Sequence, residues 1–292
     1  MFRGAYTALV TPFRDGHVDV EALARLVERQ IAGGIDGLVP CGTTGECPTL
    51  SVEEHLRVIE VTLEVADGRV PVLAGAGSND TASAVELTRA CKDLGVAGTL
   101  QITPYYNRPS QAGMLKHFLT IADVGLPMVV YNVPSRTSVD LQDETMARLA
   151  EHEMVVGLKD ATGNMVRAAC LRELCGPDFD LLSGDDHTVL PFLAVGGVGV
   201  ISVVTNVLPD LMARLCRAVA QGDLGEAQAL HRAHLPLSRL LFSQPSPGPI
   251  KAAMARLGWI TPETRLPILP LAPDTPEHRE IEIQLRNLEL LS

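Results

Sequence analysis

Residues 154–163 read Met154-Val-Val-Gly-Leu-Lys-Asp-Ala-Thr-Gly163. Five apolar residues run without polar alternation and end on a lysine. Such a run fits a strand buried on both faces, as in parallel sheets covered by helices. The same pattern recurs outward from it in both directions, over residues 4–13, 37–41, 71–74, 99–103, 128–131, 180–183 and 198–204. Successive runs start about 30 residues apart, the length of a β-α unit. The stretches between them read as helices. Residues 20–32 keep apolar side chains at helical spacing, Asn79-Asp80 caps a helix through Leu94, and Ser51-Val-Glu-Glu54 has a capping-box shape ahead of a helix through Ala66.

Eight such units predict an α/β protein, a parallel (β/α)8 TIM barrel. The alternative is an open doubly wound sheet, but no Gly-x-Gly-x-x-Gly turn follows the first run. After residue 204 the strand pattern stops. Residues 208–221, 224–242 and 250–257 read as helices, and a Pro-rich stretch over 261–276 leads to a last polar helix. The organisation expected is a barrel over residues 1–207 and, over 208–292, the last barrel helix with a C-terminal helical subdomain.

Composition narrows the function. The chain has 292 residues with 35 acidic and 24 basic side chains, a net charge of −11. That argues against general binding to a phosphate backbone, so no nucleic-acid partner is expected. No apolar run reaches the roughly 20 residues of a membrane span, and Met-Phe-Arg-Gly-Ala-Tyr lacks a signal-peptide core. A cytoplasmic location is expected, with the six cysteines as reduced, mostly buried thiols. A catalytic thiol at Cys41 or Cys47 is the sharper alternative, but no histidine accompanies either in a recognisable pattern.

Barrel enzymes carry their catalytic groups at the C-terminal ends of strands. The four lysines are Lys92, Lys116, Lys159 and Lys251. Three fall in helical stretches, where a solvated lysine is ordinary. Lys159 ends a strand; it either snorkels to solvent, pairs with Asp160, or is buried. A buried ammonium shifts its pKa downward. A fall to 7 corresponds to about 4.6 kcal/mol and leaves a neutral amine able to attack a carbonyl. Tyr105, Tyr106 and Tyr131 end the fourth and fifth strands, and a phenol can carry the protons of Schiff-base chemistry if a hydroxyl holds it. Thr43 and Thr44 offer hydroxyls on a tight turn whose N–H groups suit a carboxylate. Arg136, five residues past Tyr131, offers a planar guanidinium to a second one. Asp185, Asp186 and His187, or His231 and His234, do not read as a metal site, because three adjacent residues cannot all face one ion. The acidic turn at 183–186 also disfavours a phosphorylated substrate, since it occupies the loop where barrels cradle phosphate.

The segments Gly42-Thr-Thr-Gly-Glu46, Pro104-Tyr-Tyr-Asn-Arg-Pro109, Tyr131-Asn-Val-Pro-Ser-Arg-Thr137 and Gly157-Leu-Lys-Asp-Ala-Thr-Gly163 together resemble the dihydrodipicolinate synthase and N-acetylneuraminate lyase family of class I aldolases. The resemblance runs from Gly4 to about Gly258. It implies a homotetramer built as a dimer of dimers and no cofactor, the covalent link being a Schiff base between pyruvate and Lys159. It also implies Tyr131 as proton donor and acceptor, Thr43 as the relay between two tyrosines, and Tyr106 as the tyrosine lent by a neighbouring subunit. Thr44 would bind the pyruvate carboxylate, and Gly184 and Ile201 would line the same pocket. Arg136 is the discriminator within the family. The synthase branch uses an arginine there for the carboxylate of aspartate semialdehyde, so the expected reaction is condensation of pyruvate with L-aspartate-4-semialdehyde in the diaminopimelate route to lysine. The alternatives are a lyase that releases pyruvate from a 2-keto-3-deoxy sugar acid or sialic acid, and a non-catalytic sensor, which would have no need of the lysine.

In lysine-inhibited family members the regulator sits at a subunit interface that maps near Cys47, Pro48, Val52, His55, Asn79, Ser83 and Tyr105. His55, Asn79 and Tyr105 are retained here. Val52 stands where sensitive enzymes usually carry His or Trp, and Ser83 where they carry Glu. Weak inhibition by lysine, or none, is the expectation.

Overall fold

The first and last apolar runs lie side by side: Gly4 donates its N–H to the Val198 carbonyl at 2.9 Å, and Ala5 is in register with Val200. That pairing curls the sheet into a barrel. The computed structural model describes residues 1–291. Its strands are β1 (Gly4–Ala8), β2 (Gly37–Val39), β3 (Leu73–Gly75), β4 (Gly98–Ile102), β5 (Met128–Asn132), β6 (Val155–Asp160), β7 (Asp180–Ser183) and β8 (Gly199–Ser202). All pair in parallel, in the order β2-β1-β8-β7-β6-β5-β4-β3. The seam between β2 and β3 is closed by the bridge Leu38–Val72 and by the Gly75 N–H on the Pro40 carbonyl at 2.9 Å.

Alternation along each strand divides the core in two. Tyr6, Leu73, Leu100, Val129, Leu182 and Ile201 fill the barrel. Leu38, Ala74, Val130, Leu158, Leu181 and Val200 face the surrounding helices. Both faces are therefore apolar, which is why the strands read as unbroken hydrophobic runs. Gly37 makes room inside: a Cβ there would lie 2.0 Å from the Tyr6 ring.

The barrel helices are α1 (Val20–Ala32), α2 (Val52–Ala66), α3 (Thr81–Leu94), α4 (Gln111–Ala122), α5 (Asp143–Ala150), α6 (Met165–Cys175), α7 (Val189–Ala194) and α8 (Pro209–Ala220). The capping box of α2 is formed by Ser51 and Glu54 in both directions. At α3 the cap is Asp80, which accepts from the Ser83 N–H at 2.8 Å. Three more helices, α9 (Leu224–Leu241), α10 (Gly248–Arg256) and α11 (Pro276–Asn287), form the C-terminal part.

Three strand expectations were too long, the second of them stopping at Val39 instead of Cys41. The first strand stops at Ala8, and Phe13–Arg14 instead pairs with His17–Val18 in a small hairpin. Asp15 and Gly16 turn it with φ of 53° and 81°, the paired left-handed geometry of a tight hairpin. The last strand stops at Ser202 because the N–H groups of Val203 and Val204 turn to the Asp186 carboxylate instead of a neighbouring strand. The reading of Lys251 as a solvated helical lysine is also corrected: its side chain on α10 is completely buried.

Candidate active site

On β5 and β6, Tyr131 is in register with Lys159, so both side chains point into the barrel at the same level. They form its upper layer. Lys159 is 7% exposed, and its Nζ lies 4.3 Å from the centre of the Tyr131 ring. Gly184, on the loop after β7, leaves space for the lysine stem: a Cβ there would meet Lys159 Cε at 3.1 Å. Ile201 is buried on β8 in the same interior cluster. The alternative partner for Lys159 is otherwise engaged. Asp160 points to the opposite face of β6, where Oδ2 lies 3.0 Å from Arg167 Nε.

Burial pulls the Lys159 ammonium down to about 7; Asp186 opposes the fall and Arg136 adds to it. The same burial raises the Tyr131 phenol, against the Arg136 charge and a hydrogen bond from Thr43. At neutral pH the site thus holds a substantial share of free amine beside a protonated phenol, a nucleophile and a proton source.

Thr43 and Thr44 sit on the turn after β2. The turn is closed by the Gly45 N–H on the Gly42 carbonyl and the Glu46 N–H on the Thr43 carbonyl, each at 3.1 Å. Thr44 is buried, and Thr43 opens onto a cavity of about 530 Å³. Arg136 rises from a single helical turn, Pro134–Thr137, and lines that cavity. So do His55, Tyr105 and Ser83, which places most of the expected regulatory residues in one space with Thr43 and Arg136, while Lys159 and Tyr131 are not part of its lining. His55 is held by Nε2 on the Gly75 carbonyl at 2.7 Å. Asn79 is not part of the lining; its carbonyl accepts from Asn107 Nδ2 at 2.8 Å. The Ser83 hydroxyl is turned onto Asp80 at 2.6 Å, and Glu86 is the acidic side chain that the same helix gives to the cavity. Tyr106 stands apart, 89% exposed with φ of 71°, projecting away from its own barrel.

Two groups were missed. Asp186 is a buried carboxylate near Lys159, with Oδ2 accepting from the N–H groups of Val203 and Val204 at 3.1 and 2.9 Å. Reading it with Asp185 as one acidic turn hid that the two diverge. Asp185 turns to His187 Nδ1 at 3.2 Å, while Asp186 turns inward. The second is the buried contact of Glu46 with Lys251, at 2.5 Å, which nothing in local spacing signals. Among the described residues no three His, Cys, Asp or Glu side chains stand close enough to share a metal ion. His231 and His234 meet edge to face on α9, with ring centres 5.0 Å apart. Cys41 and Cys47 are poor nucleophiles, since burial pushes the first far above its ordinary value and the second to about 12. Cys41, Cys91 and Cys216 are buried, Cys47 and Cys175 are half-buried, and Cys170 is exposed.

Residues 1–285 match the family model of the dihydrodipicolinate synthetase family. This chain belongs to that family. It is 54% identical over 274 residues to the 4-hydroxy-tetrahydrodipicolinate synthase of Nitratidesulfovibrio vulgaris, covering 93% of this chain and 94% of the relative. It is 51% identical over 272 residues to that of Pelobacter propionicus, covering 93% and 94%. Among solved structures, the chloride-inhibited dihydrodipicolinate synthase from Acinetobacter baumannii complexed with pyruvate superposes with a TM-score of 0.96 at 40% identity, over the whole of both chains. The eight-stranded barrel with a C-terminal helical part is thus the family's fold.

The depressed ammonium has a direct readout. Acylation of Lys159 by a small reagent, followed by mass spectrometry, is expected to accelerate tenfold per pH unit below about 7 and to level off above it. Acceleration continuing to pH 10 would mark an ordinary lysine.

Proposed function

We propose that this chain is a 4-hydroxy-tetrahydrodipicolinate synthase, a lyase of the class I aldolase type that condenses pyruvate with L-aspartate-4-semialdehyde. The observation that carries the reading is Lys159, buried against Tyr131 and titrating near 7. An amine with that pKa is free at neutral pH roughly a thousandfold more often than an ordinary lysine. The neutral amine attacks the keto carbon of pyruvate, and the carbinolamine loses water to give the Schiff base. Tyr131 donates the proton that leaves with that water and exchanges protons through Thr43. Loss of a methyl proton gives an enamine, whose carbon attacks the aldehyde of the second substrate. Thr44 and the N–H groups of its turn take the pyruvate carboxylate, with Gly184 and Ile201 bounding the pocket. No cofactor is called for, because the protonated Schiff base formed on Lys159 takes up the electron pair left by the methyl proton.

Tyr106 is the piece that one chain does not complete. A tyrosine in the left-handed region with an exposed ring has no role in its own barrel, and it suits insertion into a partner's site in a homotetramer built as a dimer of dimers. The barrel over 1–207 and the helical remainder over 208–292 act as one unit in this reading. No helix among the described residues is long and apolar enough to cross a membrane, which accords with a cytoplasmic biosynthetic role.

Arg136 favours the synthase over a sugar-acid lyase, because a guanidinium at the cavity wall matches the carboxylate of aspartate semialdehyde. His55 and Tyr105, without Asn79, outline a lysine-binding region, but Val52 offers no hydrogen bond and the Ser83 hydroxyl is already committed to Asp80.

Borohydride reduction with pyruvate is expected to leave a pyruvyl adduct on Lys159, and Lys159→Arg to abolish it while the fold survives; an adduct elsewhere sinks the reading. Arg136→Ala is expected to weaken use of aspartate semialdehyde by about 10- to 150-fold, the worth of one charge-assisted contact of roughly 1.5–3 kcal/mol, with pyruvate trapping little changed. An equal loss for both substrates would make Arg136 structural. In a lysine titration, half-inhibition is expected above millimolar. Half-inhibition well below that, abolished by Glu86→Gln, would mean that Glu86 has taken the role expected at position 83.

A further inference from the structure

Glu46 ends the turn that carries Thr43 and Thr44, yet its carboxylate is not among the groups lining the cavity. It is buried toward the C-terminal helices. Oε1 lies 2.5 Å from Lys251 Nζ on α10, and Oε2 accepts the Arg265 N–H at 2.9 Å. Lys251 is completely buried and donates to the Glu263 carbonyl at 2.9 Å. Lys251 Nζ and the Arg265 guanidinium lie 4.2 and 4.4 Å from the centre of the Phe13 ring. Arg265 also grips Glu54, the capping residue of α2, through two contacts of 2.6 and 2.7 Å, and donates to the Thr49 and Gly16 carbonyls. The turn is thus tied from beneath by residues that lie more than 200 positions away in the chain.

The turn needs such a hold. Cys41 and Glu46, at its two ends, take φ of 56° and 54°, left-handed values that non-glycine residues adopt only when their surroundings impose them. A buried ion pair is a weak source of stability, because desolvating two charges offsets their attraction; what it supplies is a fixed direction. We propose that the Glu46–Lys251 pair is a positioning device for the reaction, holding the turn so that Thr43 and Thr44 meet Lys159 and Tyr131. The C-terminal helices then serve catalysis without touching substrate. The inference rests on the roles given above to Thr43 and Thr44.

The test separates position from stability. Lys251→Met alone strands a buried carboxylate and is expected to lower Tm. Adding Glu46→Gln removes both charges and is expected to recover most of that loss. The kinetics are expected not to recover: kcat/KM for pyruvate in the double variant stays about 10- to 100-fold below the parent, the scale of a small misplacement of catalytic groups. Glu46→Gln by itself, isosteric and still able to accept the Arg265 N–H, is expected to keep the fold and show an intermediate loss. If the pair acts through Thr43, the double change made in a Thr43→Ala background costs less than about threefold in kcat. Parental kcat and KM in either Glu46→Gln or the double variant would overturn the proposal. So would an undiminished loss in the Thr43→Ala background. Borohydride trapping on the parent is read separately: without a Lys159 adduct the site reading fails and this proposal with it, whereas a trapped parent with kinetically silent variants overturns the positioning role alone.

Discussion

The desolvation of one ammonium organises this protein. Lys159 ends a strand whose neighbours on both sides are apolar, inside a barrel filled by Tyr6, Leu100, Val129 and Leu182. Its charge has little water to stabilise it there, so the amine gives up its proton near neutrality. Much of the upper barrel serves that state. Gly184 clears the lysine stem, the Tyr131 ring covers the amine, and Arg136 adds positive potential from the rim. Asp186 works the other way and keeps the fall moderate; burial raises its own carboxyl, against the two backbone N–H groups it accepts.

The same low-dielectric setting makes the phenol a donor. Tyr131 and Lys159 feel one environment with opposite consequences, since burial disfavours the charged form of each. A neutral amine and a neutral phenol side by side are the pair that carbinolamine chemistry requires. Parallel register brings this about: a slip of one residue between β5 and β6 would send one of the two out toward the helices.

The C-terminal helices enter the same account from below. They contribute a buried cation at Lys251, and the loop between α10 and α11 adds Arg265, which grips Glu54 at the start of α2 and donates to the Thr49 carbonyl. The segment between β2 and α2 is closed by its own backbone hydrogen bonds but has strained ends, and the buried contacts from below fix its direction.

The eightfold β-α rhythm, the parallel sheet and the singular place of Lys159 were legible in the sequence, because burial on both faces writes itself as an unbroken apolar run. Ser51 and Glu54 announced their capping box for a similarly local reason. Strand ends were less legible: β1 and β8 stop where N–H groups find other partners, Asp186 among them, and those partners are far away in the chain. Asp186 and Lys251 could not be read at all. A carboxylate beside another carboxylate, and a lysine on an amphipathic helix, have the local signature of solvated groups. Only tertiary packing removes the water around them, and it is the loss of water that turns an ordinary charge into a tuned or directing one.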